Sequence, residues 1–133
     1  MTTLEFINTY LGKKVDYDKA HGPQCVDVFR QYCKDVVGCP HTGAVEGAKD
    51  LWYNFSENGE KKYFDRFNAT YAMFGDVLIE GETSTNKYGH VSIIVAVEGD
   101  KALVMQQDGF AQDGCKMGIR SLKNALGVLR KRK

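Results

Sequence analysis

The order of apolar patterns along the 133-residue chain predicts an α+β fold, in which N-terminal helices pack on an antiparallel β-sheet. Apolar residues recur at helical spacing through much of the first half. From Gly75 onward, short β-branched runs alternate with turns, as in an antiparallel meander. The chain contains no repeat, low-complexity stretch or linker, so we expect a single catalytic domain over residues 1–133.

The first helix is predicted from the residues at its ends. Thr2 and Glu5 have the spacing of a capping box, and Gly12 is the expected stop. Its apolar face is predicted to consist of Leu4, Ile7, Tyr10 and Leu11. We expect this face to pack on the rest of the domain and to carry no chemistry.

The second helix is predicted to be the central and most buried one. Pro23 suits its first turn, while Gly38 and Pro40 mark its end. Its apolar stripe consists of Val28, Phe29, Tyr32, Cys33, Val36 and Val37. A third helix is expected from about residue 45 to residue 55.

Five strands are predicted in the second half of the chain. They are expected at residues 76–79, 91–97, 102–107, 117–121 and 126–130. Residues 98–101 have the composition of a tight turn, which makes the second and third strands an antiparallel hairpin. Between helices and strands, an aromatic segment either lines a groove or caps the core, and the core is favoured. Its members are Tyr63, Phe64, Phe67, Tyr71 and Phe74.

Charge and hydropathy exclude several classes of function. The net charge of +1 gives no electrostatic case for nucleic-acid binding, and the basic run at residues 130–133 is interpreted as a solvated tail. The chain shows neither a signal peptide nor an apolar run of membrane-spanning length. We therefore expect synthesis in a cytoplasm, no membrane insertion and no export by the usual route.

The four cysteines are expected to be reduced, since no export signal is visible. A zinc site at Cys33, Cys39 and His41 is conceivable, but this spacing fits no standard zinc module. Cys33 is expected to pack in the core instead, because it falls on the apolar face of the second helix.

Another of the four cysteines, Cys25, stands where the second helix should begin. At that place Cys25 would feel the positive end of the helix dipole and the exposed N–H groups, which lower the pKa of a thiol and favour the thiolate. The same N–H groups can hold an oxyanion. Cys25 is thus a candidate nucleophile, with a small core residue as the alternative interpretation.

A base and an orienting group are predicted on the strands. His90 lies at the edge of a buried strand, where it can act as base to a cysteine on an adjoining helix, with a surface histidine as the alternative. Gln106 and Asp108 share a face of the next strand, and the hairpin returns them toward the His90 end. Either can hold the second imidazole nitrogen, and for each the alternative is a polar strand end in solvent.

Three carboxylates surround the loop before the second helix. Asp16, Asp18 and Asp27, with the backbone carbonyls of Ala20 and Gly22, would suit Ca²⁺, which takes six or more oxygen ligands. The loop lacks the closing Glu and the mid-loop Gly of an EF-hand. A solvated acidic loop is therefore the alternative interpretation.

Two blocks of sequence carry a family resemblance. They are residues 16–27, which end in Gln-Cys-Val-Asp, and residues 89–95, which begin with Gly-His-Val. In this order they resemble the CHAP domains (cysteine, histidine-dependent amidohydrolase/peptidase) of phage endolysins and bacterial autolysins. Further similarity at residues 47–52, 75–77 and 126–130 extends the resemblance over nearly the whole chain.

The resemblance implies a papain-like α+β fold and hydrolysis of an amide bond in bacterial peptidoglycan. Cys25 matches the family's nucleophile and His90 its general base, and the Gln24 side chain is a candidate to help hold the oxyanion. Many members carry Glu and Asn where this chain has Gln106 and Asp108. We expect Gln106 to hold the imidazole and Asp108 to support it from the same face, with exchanged roles as the alternative.

The resemblance also implies a structural Ca²⁺ ion, because some relatives bind calcium through the loop before the cysteine. Asp16, Asp18 and Asp27 match their side-chain ligands. Ala20 and Gly22 match positions that offer backbone carbonyls. The resemblance therefore favours a calcium site over a solvated acidic loop as the interpretation of these residues.

The function implied is that of a phage lysin, either an N-acetylmuramoyl-L-alanine amidase or a stem or cross-bridge endopeptidase. Such an enzyme would reach the cell wall with the help of a holin, or as part of a virion. Two alternatives stay open. One is a catalytically weak wall-binding or virion structural module, prompted by Gln106, and the other is a cysteine hydrolase effector that acts on a non-wall amide.

Overall fold

Helices precede strands in the folded chain, as predicted. A computed structural model describes residues 1–17, 24–39, 47–57, 59–108 and 113–132. The α-helices in these ranges are α1 (Thr3–Tyr10), α2 (Cys25–Tyr32) and α3 (Asp50–Tyr53). The strands are β1 (Phe64–Phe67), β2 (Val77–Glu80), β3 (His90–Glu98), β4 (Lys101–Gln106), β5 (Lys116–Ser121) and β6 (Ala125–Lys131). The expected α+β fold is confirmed.

The six described strands form one sheet in the order β1-β6-β2-β3-β4-β5, and each neighbouring pair is antiparallel. Strands β2 to β5 form the predicted meander, and Glu98 pairs with Lys101 at the predicted tight turn. β6 does not continue the meander beyond β5, because it returns to lie between β1 and β2. β1 is absent from the predicted strands, since four residues with a charged centre give little alternating signal.

The predicted ends of the first two helices are present. Thr2 Oγ1 accepts a hydrogen bond from the Glu5 N–H at 3.1 Å, and the Thr2 N–H donates to Glu5 Oε1 at 3.0 Å. A π-helical turn, Cys33–Val37, continues α2. Gly38 then ends it in the left-handed conformation with φ +80°.

The buried face of α1 differs from the predicted one. Phe6 and Ile7 are buried, whereas Leu4 is 59% exposed and Leu11 is 43% exposed. The Phe6 ring meets the Tyr32 ring of α2 edge-on, with 5.0 Å between the centroids. Contact with α2 therefore selects the buried face, and the spacing of apolar residues within α1 does not show it.

α3 is shorter than predicted, because it ends at Tyr53 and a 3₁₀ turn, Phe55–Glu57, follows it. Its predicted start near residue 45 lies outside the described residues, as do Pro23 and Pro40. Among the described helices, none has the length and apolar character needed to cross a membrane.

Apolar side chains cover both faces of the sheet. On one face they pack α1 and α2 against the strands, and on the other face they form a smaller cluster. Of the aromatic segment, Phe64 is fully buried and Phe67 packs on the smaller cluster. Tyr71 and Phe74 are 68% and 51% exposed. The core interpretation is therefore right for the first pair and wrong for the second.

Candidate active site

α2 begins at Cys25 because the residue before it leaves the helical conformation. Gln24 has an extended backbone, with φ −127° and ψ 168°, and its N–H donates to Asp27 Oδ2 at 2.9 Å. Asp27 is 4% exposed, and its carboxylate lies in the first helical turn, where the helix dipole favours negative charge. Cys25 thus occupies the helix start, as the sequence predicts.

The thiol of Cys25 lies against the first residues of β3. The Val91 N–H and the N–H groups at the helix start lie close enough to the Cys25 sulfur to lower the pKa of the thiol. Val28 and Phe29 hold α2 in this position, since both are about 1% exposed and pack in the same core cluster as Val91. This packing brings the thiol to the strand end that carries His90.

Burial raises the pKa of the Cys25 thiol, and the carboxylate of Asp27 adds to the rise. The N–H groups of Val91 and of the helix start lower this pKa, but burial outweighs them. The predicted effect of the helix start on this pKa is therefore present, but burial is the larger influence. Cys25 rests as a thiol at neutral pH and needs a base to become a nucleophile.

His90 is oriented by an amide from the neighbouring strand. Its Nε2 lies 2.8 Å from Oε1 of Gln106, the last residue of β4. Because an amide oxygen only accepts, the ring donates from Nε2 and keeps a lone pair on Nδ1. The predicted contact between Gln106 and His90 is present, and Asp108 lies close enough for its charge to act on the ring.

Burial lowers the pKa of His90, and the Arg120 guanidinium lowers it further. The hydrogen bond that the ring donates to Gln106 raises this pKa, as do the carboxylates of Glu80 and Asp108. Glu80 stands opposite His90 on β2, and its Oε2 accepts from Arg120 Nε at 2.8 Å. His90 is therefore neutral at neutral pH and able to take the proton of a thiol.

Two glycines make room for this arrangement. A Cβ at Gly118 on β5 would lie 2.2 Å from Nε2 of Gln106. Gly89 precedes His90 with φ +76°, and a Cβ there would lie 2.4 Å from the carbonyl oxygen of Glu80. Sequence reasoning missed the role of Gly118. The signal was a glycine inside a strand, which marks close approach of another group.

The predicted calcium ligands are only partly described by the structure. Among the described residues, Asp16 Oδ1 is buried and has no hydrogen-bond partner, while Asp27 accepts from the backbone before Cys25. Asp18, Ala20 and Gly22 lie outside the described residues. Within the described ranges, no group of three or more His, Cys, Asp and Glu side chains is placed to hold a metal ion.

The other cysteines are buried away from the site. Cys33, Cys39 and Cys115 are reduced, and each is at most 3% exposed. Core packing of Cys33 is thereby confirmed. His41, the third residue of the conceivable zinc site, lies outside the described residues.

The fold therefore brings together a thiol at a helix start, a neutral imidazole with a lone pair on Nδ1, and an amide behind the ring. These are the groups that a cysteine hydrolase requires. The N–H groups at the start of α2 lie near the sulfur, where they can receive a developing oxyanion.

Comparison of the sequence with known proteins agrees with this class. The CHAP domain model matches residues 14–108, and the chain belongs to the CHAP domain family. The chain is 34% identical over 98 residues to the D-alanyl-L-alanine endopeptidase of Streptococcus phage B30. That match covers 69% of this chain and 21% of the relative. The domain limits at residues 1 and 133 stay a prediction.

Two solved structures are similar in fold. The endolysin LysIME-EF1 matches with a TM-score of 0.73 and 21% identity, over 98% of this chain and 64% of that chain. Ly7917 matches with a TM-score of 0.72 and 18% identity, over 98% of this chain and 62% of that chain. The chain thus spans less than two thirds of either structure, and the likeness shows the fold.

Proposed function

We propose that this chain hydrolyses an amide bond in bacterial peptidoglycan, with Cys25 as nucleophile and His90 as base. The observation that carries the proposal is the bond between His90 Nε2 and Gln106 Oε1. It fixes the tautomer in which Nδ1 accepts a proton. The next residue of the strand, Val91, lies close enough to the Cys25 sulfur for its N–H to lower the pKa of the thiol. Membership of the CHAP domain family supports the same assignment.

The protonation states of the two groups define the first step. His90 removes the proton of the Cys25 thiol, and the sulfur attacks the carbonyl carbon of the amide. N–H groups at the start of α2 hold the oxyanion, and the Gln24 side chain assists them. The imidazolium then protonates the leaving amine, and water hydrolyses the thioester with His90 again as base.

We further propose that the bond is a peptide bond of the wall, and that the chain acts as a phage lysin. The similarity to a phage protein named D-alanyl-L-alanine endopeptidase favours an endopeptidase over an amidase. The residues that choose the bond would lie in loops such as 81–89, beside His90. Release by a holin, or carriage in a virion, would bring such an enzyme to the wall.

Gln106 does not argue for an inactive module. Although many CHAP domains carry a carboxylate there, the amide oxygen still accepts from the ring. A catalytically weak wall-binding protein has no use for an oriented imidazole beside a partly exposed thiol. Faster labelling of Cys25 than of Cys33 by a thiol probe at neutral pH would support the active assignment.

We also propose that Ca²⁺ binds the loop before α2. The buried Asp16 Oδ1 has no partner among the described residues, and a carboxylate in that condition suits a cation. Asp16 and Asp27 would hold the ion with Asp18 and the carbonyls of Ala20 and Gly22. The ion would stiffen the loop and take no part in the chemistry.

Calcium binding is tested by thermal unfolding of the full chain after rigorous chelation, with Ca²⁺ or Mg²⁺ added back. A rise in Tm with Ca²⁺ that is lost in Asp16→Ala supports the site. An equal Tm with and without Ca²⁺ contradicts it. This readout does not depend on activity.

The reaction is tested by digestion of purified cell walls with the chain and with Cys25→Ala, followed by mass spectrometry of the new termini. New peptide amines identify an endopeptidase, and new lactyl ends of muramic acid identify an amidase. Cys25→Ala is expected to fold and to release neither. Wall hydrolysis retained by this variant would falsify the scheme.

A further inference from the structure

Gln107 carries a buried side-chain amide that the proposed reaction does not use. The residue follows β4 directly and is fully buried. Its Oε1 accepts from the Val15 N–H at 2.8 Å and from the Cys115 thiol at 3.7 Å. Its Nε2 donates to the Val15 carbonyl at 2.6 Å and to the Gln24 carbonyl at 2.9 Å. Every hydrogen of the amide nitrogen is therefore used.

These contacts join both ends of one loop. Val15 lies where the chain enters the loop before α2, and Gln24 lies where the chain leaves it. The Gln107 amide pairs with both the N–H and the carbonyl of Val15, as a neighbouring strand would. One side chain thus closes the loop and fixes its exit next to Cys25.

Backbone bonds attach the same region to the start of β5. The Gly12 N–H donates to the Cys115 carbonyl at 2.9 Å, and the Cys115 N–H donates to the Lys13 carbonyl at 2.8 Å. A Cβ at Gly114 would lie 3.0 Å from the carbonyl oxygen of Lys13. Gln107 lies where residues 12–15 meet the start of β5, and its hydrogen bonds connect this backbone-bonded region to the start of α2.

Two consecutive amides therefore face opposite sides of the chain at the end of β4. Gln106 reaches His90, and Gln107 reaches the backbone of Gln24. We propose that Gln107 is a positioning residue for the nucleophile, as Gln106 is for the base. Because the two residues are adjacent, β4 sets the place of Cys25 relative to the imidazole.

The chemistry of the position requires an amide. A carboxylate at residue 107 accepts from Val15 but cannot donate to the two carbonyls, and an aliphatic chain leaves all of these groups without their partner. An unpaired carbonyl beside the helix start favours a shift of the loop exit. A displacement of about 1 Å at a reacting group costs on the order of 100-fold in rate.

The inference rests on the proposed function only in taking Cys25 as the nucleophile. Its test uses the full chain with Gln107→Glu and Gln107→Asn, the second of which keeps the amide on a shorter stem. The matched control is Gln31→Glu, since it changes the charge equally on α2. There the amide donates to Asp35 Oδ2 at 2.9 Å and also acts on the Tyr10 hydroxyl, and neither contact reaches the loop before α2.

Two rates are measured at a temperature where circular dichroism shows each variant folded. The first is turnover of soluble cross-linked peptidoglycan fragments, resolved into kcat and KM. We expect kcat to fall by about 100-fold in Gln107→Glu and by about tenfold in Gln107→Asn, with KM within about threefold. The second rate is alkylation of Cys25 by iodoacetamide, followed on its peptide, which should change in the same order.

Folded variants with kcat and alkylation rate equal to those of Gln31→Glu would overturn the proposal, even with a lower Tm. Should Gln107→Glu not fold, hydrogen exchange of the wild-type Val15 amide gives an independent result. Its N–H bonds to the Gln107 side chain, so we expect strand-like protection. If the Val15 N–H exchanges as fast as in a solvated loop, its hydrogen bond to the Gln107 side chain is contradicted.

The failure of either proposal is recognisable. Retained wall hydrolysis by Cys25→Ala ends the proposed function, whatever Gln107 does. An unchanged rate of Cys25 alkylation in the Gln107 variants contradicts the positioning role, whatever bond the enzyme cuts.

Discussion

The two ends of β2 are held by different kinds of polar contact. Where the strand begins, Asp76 accepts from Arg130 Nε and Nη2, both at 2.9 Å, and its side chain is 2% exposed. Where the strand ends, Glu80 stands opposite His90, whose ring is held by the neutral amide of Gln106. One end is fixed by an ion pair whose carboxylate is buried. The other end also has an ion pair, between Glu80 and Arg120, but a neutral amide holds the reacting ring.

The difference follows from what a charge does to its neighbours. A full charge a few ångströms from an imidazole or a thiol shifts its pKa, because the low dielectric of the interior strengthens the Coulomb interaction. An amide orients the ring with a much smaller effect on its protonation. Among the charges near His90, Glu80 and Arg120 are paired with each other and act on the ring in opposite directions, and Asp108 acts in the same direction as Glu80.

The largest effect is expected at the reacting end. His90→Asn removes the base from a thiol that burial keeps protonated, so kcat should fall by about 10²- to 10⁴-fold. Turnover of peptidoglycan fragments measures the loss. The Tm of the variant serves as the control for folding. A kcat within tenfold of the wild type would show that Cys25 ionises without His90.

At the other end of β2, where Asp76 pairs with Arg130, a substitution should change the free energy of unfolding rather than kcat. Arg130→Met leaves the Asp76 carboxylate buried without its cation, and we expect the free energy of unfolding to fall by about 3–5 kcal/mol. Urea unfolding measures it. Arg132→Met is the matched control, because its partner Asp65 is exposed and the pair contributes less than about 1 kcal/mol. Equal losses of stability in the two variants would contradict the stabilising role of the buried pair. A lower kcat for folded Arg130→Met would contradict its separation from the reacting end.

Adding a methyl group beside the orienting amide tests its role without replacing Gln106. Gly118→Ala places a Cβ against Nε2 of Gln106 and should displace the amide from His90. Loss of that hydrogen bond is expected to lower kcat by about 10- to 100-fold. Gly81→Ala is the control, since its Cβ would meet only the Leu126 side chain at 3.4 Å. A kcat equal to that of the control would show that the amide adjusts.

The smallest effect concerns the pH dependence of stability. The folded chain holds the pKa of His90 below its ordinary value of 6.5, chiefly by burial. Below pH 6.5 the unfolded chain therefore gains a proton that the folded chain does not, and stability is lost as the pH falls through the folded pKa. His90→Gln should lose less stability than the wild type between pH 7.5 and 5.5. Parallel urea titrations of the two proteins would measure the difference, and equal losses would refute the lowered pKa.

Features with a local signal were predictable. Cys25 at a helix start and His90 at a strand edge follow from patterns of a few residues, and the hairpin that returns Gln106 follows from one turn. Features that depend on distant partners were missed. The buried face of α1 is set by Tyr32, and the resting thiol follows from burial under packed elements rather than from the helix dipole.

The sequence by itself determined the order of elements, the family and the groups able to react, because periodicity and short motifs are properties of neighbouring residues. Only the tertiary structure decided how those groups are held. The bonds of Gln107 to Val15 and Gln24 join residues more than 80 positions apart, and Gly118 matters only because β5 pairs with β4. Such contacts leave no local pattern, since they exist only after the sheet has formed.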